Sequence, residues 1–340
     1  MPFPTRMPWA GIFIWSWFGV LSGSCTFEKD AKIEEAEPKF DAEQQKKIDE
    51  AHAELEIGRN MAGRLLKFYG AYPDEKLVRY VNEVGNYVAK FSKFPERRYM
   101  FEVYNSNTIN AFACPGGYIL ISLGAIKNAD NEAELAHILG HEIAHVGLKH
   151  MMNALTKMSK EELDKKAAEG ARAALLPEEL KVRQRPEPEE SVLGSALAKY
   201  LVGSAGGLNF LQAAKAGMSL IMDQGLGAEL EFEADQEGAR YAISAGYFPL
   251  GMVNFLCRME TARGRPADFC LKESAAAKGE AKSILDKTHP PVPVRVNKIK
   301  EVLLAMKADE IIGAKGKKRF MTMKERLEKS SKNSLGQDKG

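Results

Sequence analysis

The stretch LAHILGHEIAHVGLKH, Leu135–His150, holds four of the chain's six histidines. It predicts a helix. Asp130 or Asn131 can cap its start, and Glu132 and Glu134 suit the positive end of its dipole. Inside it, His141-Glu142-Ile143-Ala144-His145 fits the pattern H-E-x-x-H. Positions i and i+4 lie one turn apart on one helix face, so both imidazoles can reach a single ion. Glu142 projects beside them and can hold a metal-bound water without ligating the metal. His137 also precedes His141 by four residues. Only the 141/145 pair has a carboxylate directly after its first histidine, so His137 reads as a packed or rim histidine. His150 falls on another face and reads as solvated near the helix C-terminus, where a cation suits the dipole.

A catalytic zinc site takes three protein ligands and keeps a position open. No further histidine lies nearby in sequence, which points to a carboxylate as the third. The best candidate lies in GLGAELEFEADQEGARYAISAG, residues 225–246, where Glu231 and Asp235 again stand at i and i+4. Glu231 can ligate. Asp235 can accept a hydrogen bond from the other ring nitrogen of a ligand histidine, fixing its tautomer. Glu229, Glu233 and Glu237 read as an exposed acidic face.

Working outward, residues 44–69 and 75–91 carry apolar residues in threes and fours and predict two helices, with Asp74 a cap for the second. RRYMFEVYNS (97–106) and GGYILISLGAI (116–126) are aromatic and β-branched and predict strands. NTINAFACPGG between them reads as a turn-rich connection. Residues 156–190 form a charged, proline-punctuated insertion, helical or disordered. SVLGSALAKYLVGSAGGLNFLQAAKAGMSLIM (191–222) is crowded with small residues, and its polar Lys199, Asn209, Gln212 and Lys215 argue against a membrane span. Residues 305–340 read as a basic tail.

At the other end, MPFPTRMPWAGIFIWSWFGVLSGSC has one arginine, an apolar run and then small residues, the layout of a secretory signal. Residues 1–24 are expected to be that signal and 25–43 a charged tether. LSGSC places Cys25 as a candidate lipidation site and membrane attachment, although Leu21 sits one position too far for the usual lipoprotein pattern; the alternative is an uncleaved anchor. The expected location is the periplasm. In an oxidising compartment Cys257 and Cys270 could close a short loop, leaving Cys114 a lone thiol; alternatively all three are small buried residues. Hydrophobic residues make up 45% of the chain and charged residues 28%, as in a globular protein, and the formal net charge of +2 is too near balance to imply a nucleic-acid or acidic partner, so none is expected.

Four motifs occur in one order: NAFACPGGYILIS (110–122), ELAHILGHEIAHVGLKH (134–150), ELEFEADQEGARYA (229–242) and THPPVPVRV (288–296). Together they resemble the gluzincin metallopeptidases related to HtpX and the CAAX prenyl protease, most of all the bacterial periplasmic BepA/LoiP-like members. The resemblance covers roughly residues 44–304. It implies an α+β, mainly helical, zincin-like domain with a small β-sheet whose edge strand borders the active-site cleft. It assigns one Zn2+ to His141, His145 and Glu231, the base role to Glu142 and the place behind a ligand histidine to Asp235. It makes Asn110–Ser122 the cleft edge and the loop leading to it. Asn110, Ala111, Phe112, Gly116, Gly117 and Arg295 are then cleft residues, and His289 is a zinc cap that holds the enzyme latent. The implied function is a periplasmic zinc endopeptidase acting on unfolded or misassembled envelope proteins. The alternative is a latent, His289-capped chaperone or assembly factor that uses the same cleft for binding only. Three departures from the pattern are the 156–190 insertion, Cys114, which stands where the family usually has an apolar residue, and a basic tail without the helical repeats of BepA-like members.

Overall fold

A computed structural model describes residues 41–158, 160–173, 210–266, 268–271 and 288–337. The signal stretch, Cys25, the tether to residue 40 and much of the 156–190 insertion lie outside them.

Helix α1 (Ala42–Tyr69) starts with a capping box, Asp41 accepting from Gln44 N at 2.8 Å and Gln44 Oε1 accepting from Asp41 N at 3.0 Å. Asp74 caps α2 (Glu75–Ala89) by accepting from Leu77 N at 3.0 Å. The chain then builds a three-stranded sheet from β1 (Met100–Tyr104), β2 (Ala111–Cys114) and β3 (Tyr118–Ser122). The order is β1-β3-β2, with β1 parallel and β2 antiparallel to β3. Two sequence expectations change here. The turn-rich connection contains a strand, β2, and the second predicted strand stops at Ser122. The Ser122 hydroxyl accepts from Ala125 N at 2.9 Å and so starts α3 (Leu123–Asn128) instead.

Both sheet faces are covered, so alternate residues enter different cores. Phe101, Val103, Ala113, Ile119 and Ile121 face one core, shared with α2, α4 (Glu132–Gly147), α8 (Ala228–Ser244), α9 (Gly251–Ala262), α10 (Val292–Ala305) and α11 (Lys317–Gln337). Tyr104, Phe112, Cys114 and Leu120 face the other, shared with α1, α5 (His150–Lys157), α6 (Lys160–Ala173) and α7 (Phe210–Ser219). The start of the charged insertion is therefore a docked helix, with Leu163 and Ala167 of α6 buried. The 305–340 tail is also partly core: Phe320, Met323 and Leu327 of α11 are buried, and Arg326 binds Asp74 at 2.8 Å. Their spacing is helical, but lysines and arginines crowd it.

Cys257 on α9 forms a disulfide with Cys270, with Cα atoms 5.3 Å apart. Cys114 is fully buried, and burial pushes its thiol pKa up. Among the described residues no helix is long and apolar enough to cross a membrane.

Candidate active site

Asn131 caps α4 by accepting from Glu134 N at 3.2 Å, and every residue of the helix is buried. It crosses α8 at two glycines. A Cβ on Gly238 would lie 2.5 Å from His141 N, and one on Gly140 would lie 2.7 Å from the Gly238 carbonyl oxygen. Only glycine allows this approach. It turns Asp235 and Glu231, one and two turns before Gly238, onto the two histidines. Gly238→Ala is therefore expected to push the helices apart. Both the denaturant midpoint and the zinc stoichiometry should fall, read by urea titration and elemental analysis.

His141, His145 and Glu231 each offer a ligand atom, all within 4.8 Å of one another, and all three residues are buried. The Nε2 atoms of His141 and His145 stand 3.1 Å apart. Glu231 Oε1 is 3.4 Å from His145 Nε2, and Oε2 is 3.6 Å from His141 Nε2. Glu231 Oε2 is buried and makes no aligned hydrogen bond. Two imidazole nitrogens and a carboxylate oxygen converging in this way form a donor set suited to zinc. Burial keeps His145 neutral, the form that ligates, because its pKa lies well below the ordinary histidine value. Burial alone would raise Glu231; His289, His145 and His141 around it hold its carboxyl ionised. The residues present therefore fit the metal.

Asp235 Oδ1 lies 3.0 Å from His141 Nδ1. Arg295 of α10 holds the same carboxylate through two hydrogen bonds, Nε to Oδ2 at 2.8 Å and a terminal nitrogen to Oδ1 at 2.7 Å. Burial would raise Asp235, but the guanidinium outweighs it and sets the pKa at about 2. Burial pushes the Glu142 carboxyl up to about 7, with His141 opposing.

A cleft beside Glu142 is lined by Asn110 and Ala111 at the start of β2, by Ile138, Met252 and Phe255, and by His289 and Arg295. The Asn110 backbone is fixed by Ser122, whose hydroxyl accepts from Asn110 N at 3.1 Å. Among the described residues no further strand pairs with the outer side of β2. His289 Nε2 reaches Glu231 Oε2 at 3.1 Å, and Thr288 Oγ1 lies 2.9 Å from its Nδ1.

Three expected cleft residues sit differently. Phe112 points away, stacked on Tyr104 and Tyr69 in the core under α1. Gly116 and Gly117 are buried against Leu55 and Arg98 rather than in the cleft. Arg295 lines the cleft, yet its guanidinium is taken up by Asp235.

Two histidine readings resolve as well. His137 is packed, its Nε2 3.1 Å from the Phe248 carbonyl oxygen. His150 is not solvated: it is 1% exposed, with Nδ1 2.9 Å from His145 Nδ1 and Nε2 3.2 Å from Glu233 Oε2. The helix ends at Gly147, Lys149 takes a left-handed conformation (φ 57°), and α5 restarts at His150. A single helical wheel continued across that break puts His150 on the wrong face. Of the predicted acidic face, Glu229 and Glu233 are exposed, whereas Glu237 is half-buried and pairs with Lys93 at 3.2 Å. Sequence reading missed Gly140 and Gly238, for which a glycine in each of the two ligand helices was the available signal.

The model of peptidase family M48 matches residues 75–303. The chain belongs to this family. Among its M48 relatives, the beta-barrel assembly-enhancing protease of Yersinia pestis is 30% identical over 189 residues, 55% of this chain and 33% of that protein. The protein of the same name from Escherichia coli (strain K12) is 27% identical over 204 residues, 58% of this chain and 36% of that one. The mitochondrial metalloendopeptidase OMA1 of Arabidopsis thaliana is 34% identical over 55 residues, 16% of this chain and 11% of that one. The chain thus spans about a third of the length of the assembly-enhancing proteases it matches.

Proposed function

We propose that this chain, a zinc metalloendopeptidase of family M48, is exported to the periplasm and there cleaves unfolded or misassembled envelope polypeptides. The observation that carries the reading is the buried convergence of His141, His145 and Glu231 beside Glu142 in a cleft bordered by β2. The names of the assembly-enhancing relatives support the substrate class.

In this reading His141, His145 and Glu231 hold zinc, which when bound supplies Lewis acidity to the scissile carbonyl. Glu142 takes a proton from the attacking water and delivers it to the leaving amine. Asp235 keeps the His141 proton on Nδ1, and Arg295 keeps Asp235 ionised. The outer side of β2 pairs with an extended substrate as an added strand, which favours chains without stable structure.

The test is cleavage of one globular protein in its native and its reduced, denatured forms, alongside zinc analysis of the purified chain. Zinc near one per chain with faster cleavage of the denatured form is expected. Equal rates on both forms would refute the substrate class, and absence of zinc would refute the site.

The proximity of His289 to Glu231 favours a second reading, a capped chaperone or assembly factor. His289→Ala is expected to increase cleavage of the denatured substrate several-fold. A variant that gains no activity while the wild type also lacks it would favour the binding-only protein.

A further inference from the structure

We propose that His150 is a positioning residue for the zinc site, accepting a hydrogen bond from His145 Nδ1 so that His145 turns a bare Nε2 toward the metal. The inference rests on the zinc reading above and extends it to a residue outside the H-E-x-x-H pattern.

The geometry, together with ligation through His145 Nε2, fixes the proton positions. Two Nδ1 atoms 2.9 Å apart share one proton, because two bare nitrogens or two N–H groups would repel. A histidine that ligates through Nε2 must carry its proton on Nδ1. His145 is then the donor and His150 the acceptor. The remaining His150 proton sits on Nε2, where Glu233 Oε2 accepts it at 3.2 Å. With His145 Nε2 given to the metal, one arrangement accounts for every nitrogen of the pair.

The two ligand histidines are thus held by different means. His141 meets a buried carboxylate directly, and Arg295 clamps that carboxylate. His145 reaches a carboxylate through an intervening imidazole, and the Glu233 side chain is 49% exposed. The turn that presents His150 is itself anchored. Lys149 Nζ lies 3.1 Å from Glu54 Oε2, and Glu54 also binds Arg97 and accepts from Gly116 N at 3.2 Å. A histidine that merely filled space would need none of this alignment.

The experiment measures zinc dissociation constants of the full chain by chelator competition, with melting curves of each apo-protein. Loss of such a partner weakens metal affinity by about 10–100-fold. His150→Phe is expected to show that loss. His150→Gln, whose amide oxygen can accept from His145 Nδ1, should stay within about threefold of wild type. Met152→Ala, a buried change on the same helix, should lower the melting temperature while leaving zinc affinity unchanged. Glu233→Lys, at an exposed position that does not threaten folding, turns the last acceptor into a donor; it should weaken zinc binding by about tenfold. Wild-type affinity in both His150→Phe and Glu233→Lys would overturn the proposal. So would a Gln variant as weak as Phe, or a Met152→Ala variant that loses zinc equally. If His150→Phe does not fold, Glu233→Lys and His150→Gln decide between the same outcomes. A wild type without zinc would instead refute the underlying site.

Discussion

Glu142→Gln is expected to leave the zinc content unchanged and to lower kcat on denatured casein by roughly a thousandfold, within the range that general base catalysis contributes. Glutamine keeps the shape and the hydrogen-bonding oxygen but cannot accept a proton at neutral pH. His141, His145 and Glu231 are untouched, so metal retention separates loss of the base from loss of the site. The pH profile gives a second check. Only the carboxylate form accepts a proton, so the wild-type rate climbs as pH rises through the Glu142 pKa. Burial sets that pKa at about 7 in the protein alone, and a neighbouring dication favours the charged form. The rising limb should therefore lie below pH 7 in the zinc enzyme and vanish in the Gln variant. Unchanged cleavage by Glu142→Gln would remove Glu142 from the mechanism.

Arg295→Ala should destabilise the protein by about 3–5 kcal/mol, because it strands the buried Asp235 carboxylate without its cation. The readout is the urea midpoint of the zinc-free chain. Zinc affinity should fall too, since Asp235 would no longer be held against His141 Nδ1. Asp235 is a group whose folded pKa, about 2, lies below its ordinary value of 3.8. Its contribution is therefore complete above about pH 5 and is lost as pH falls through about 2. The wild type should lose stability across that window, and Arg295→Ala should show a much flatter dependence there. A variant as stable as wild type would mean that water compensates the carboxylate.

Much of the site was legible because its residues sit on helices with simple periods. His141 with His145, and Glu231 with Asp235, are each one-turn pairs, and the two pairs face each other as the chemistry requires. What escaped the sequence depends on where the backbone breaks that period. His150 returns to His145 only because the chain kinks through Lys149, and no wheel drawn over Leu135–His150 contains that turn. The strand β2 is four residues long and half of it is alanine, too little for a β pattern to outweigh Pro115-Gly116-Gly117. Phe112 follows Ala111 in the motif, yet strand alternation sends its ring to the opposite face. Phe320, Met323 and Leu327 are spaced to pack, but their basic neighbours hid a core-forming helix inside an apparent tail.

The glycine contact between α4 and α8 also bears on how this chain tolerates length. The candidate ligands come from two rigid helices that meet at one point, so length added between them lengthens a loop whose ends are already tied. Closing such a loop costs entropy that grows only with the logarithm of its length, about 0.6 kcal/mol for each doubling. A charged segment can be spliced between the two helices for less than a single core substitution costs, while the knot they form stays the same.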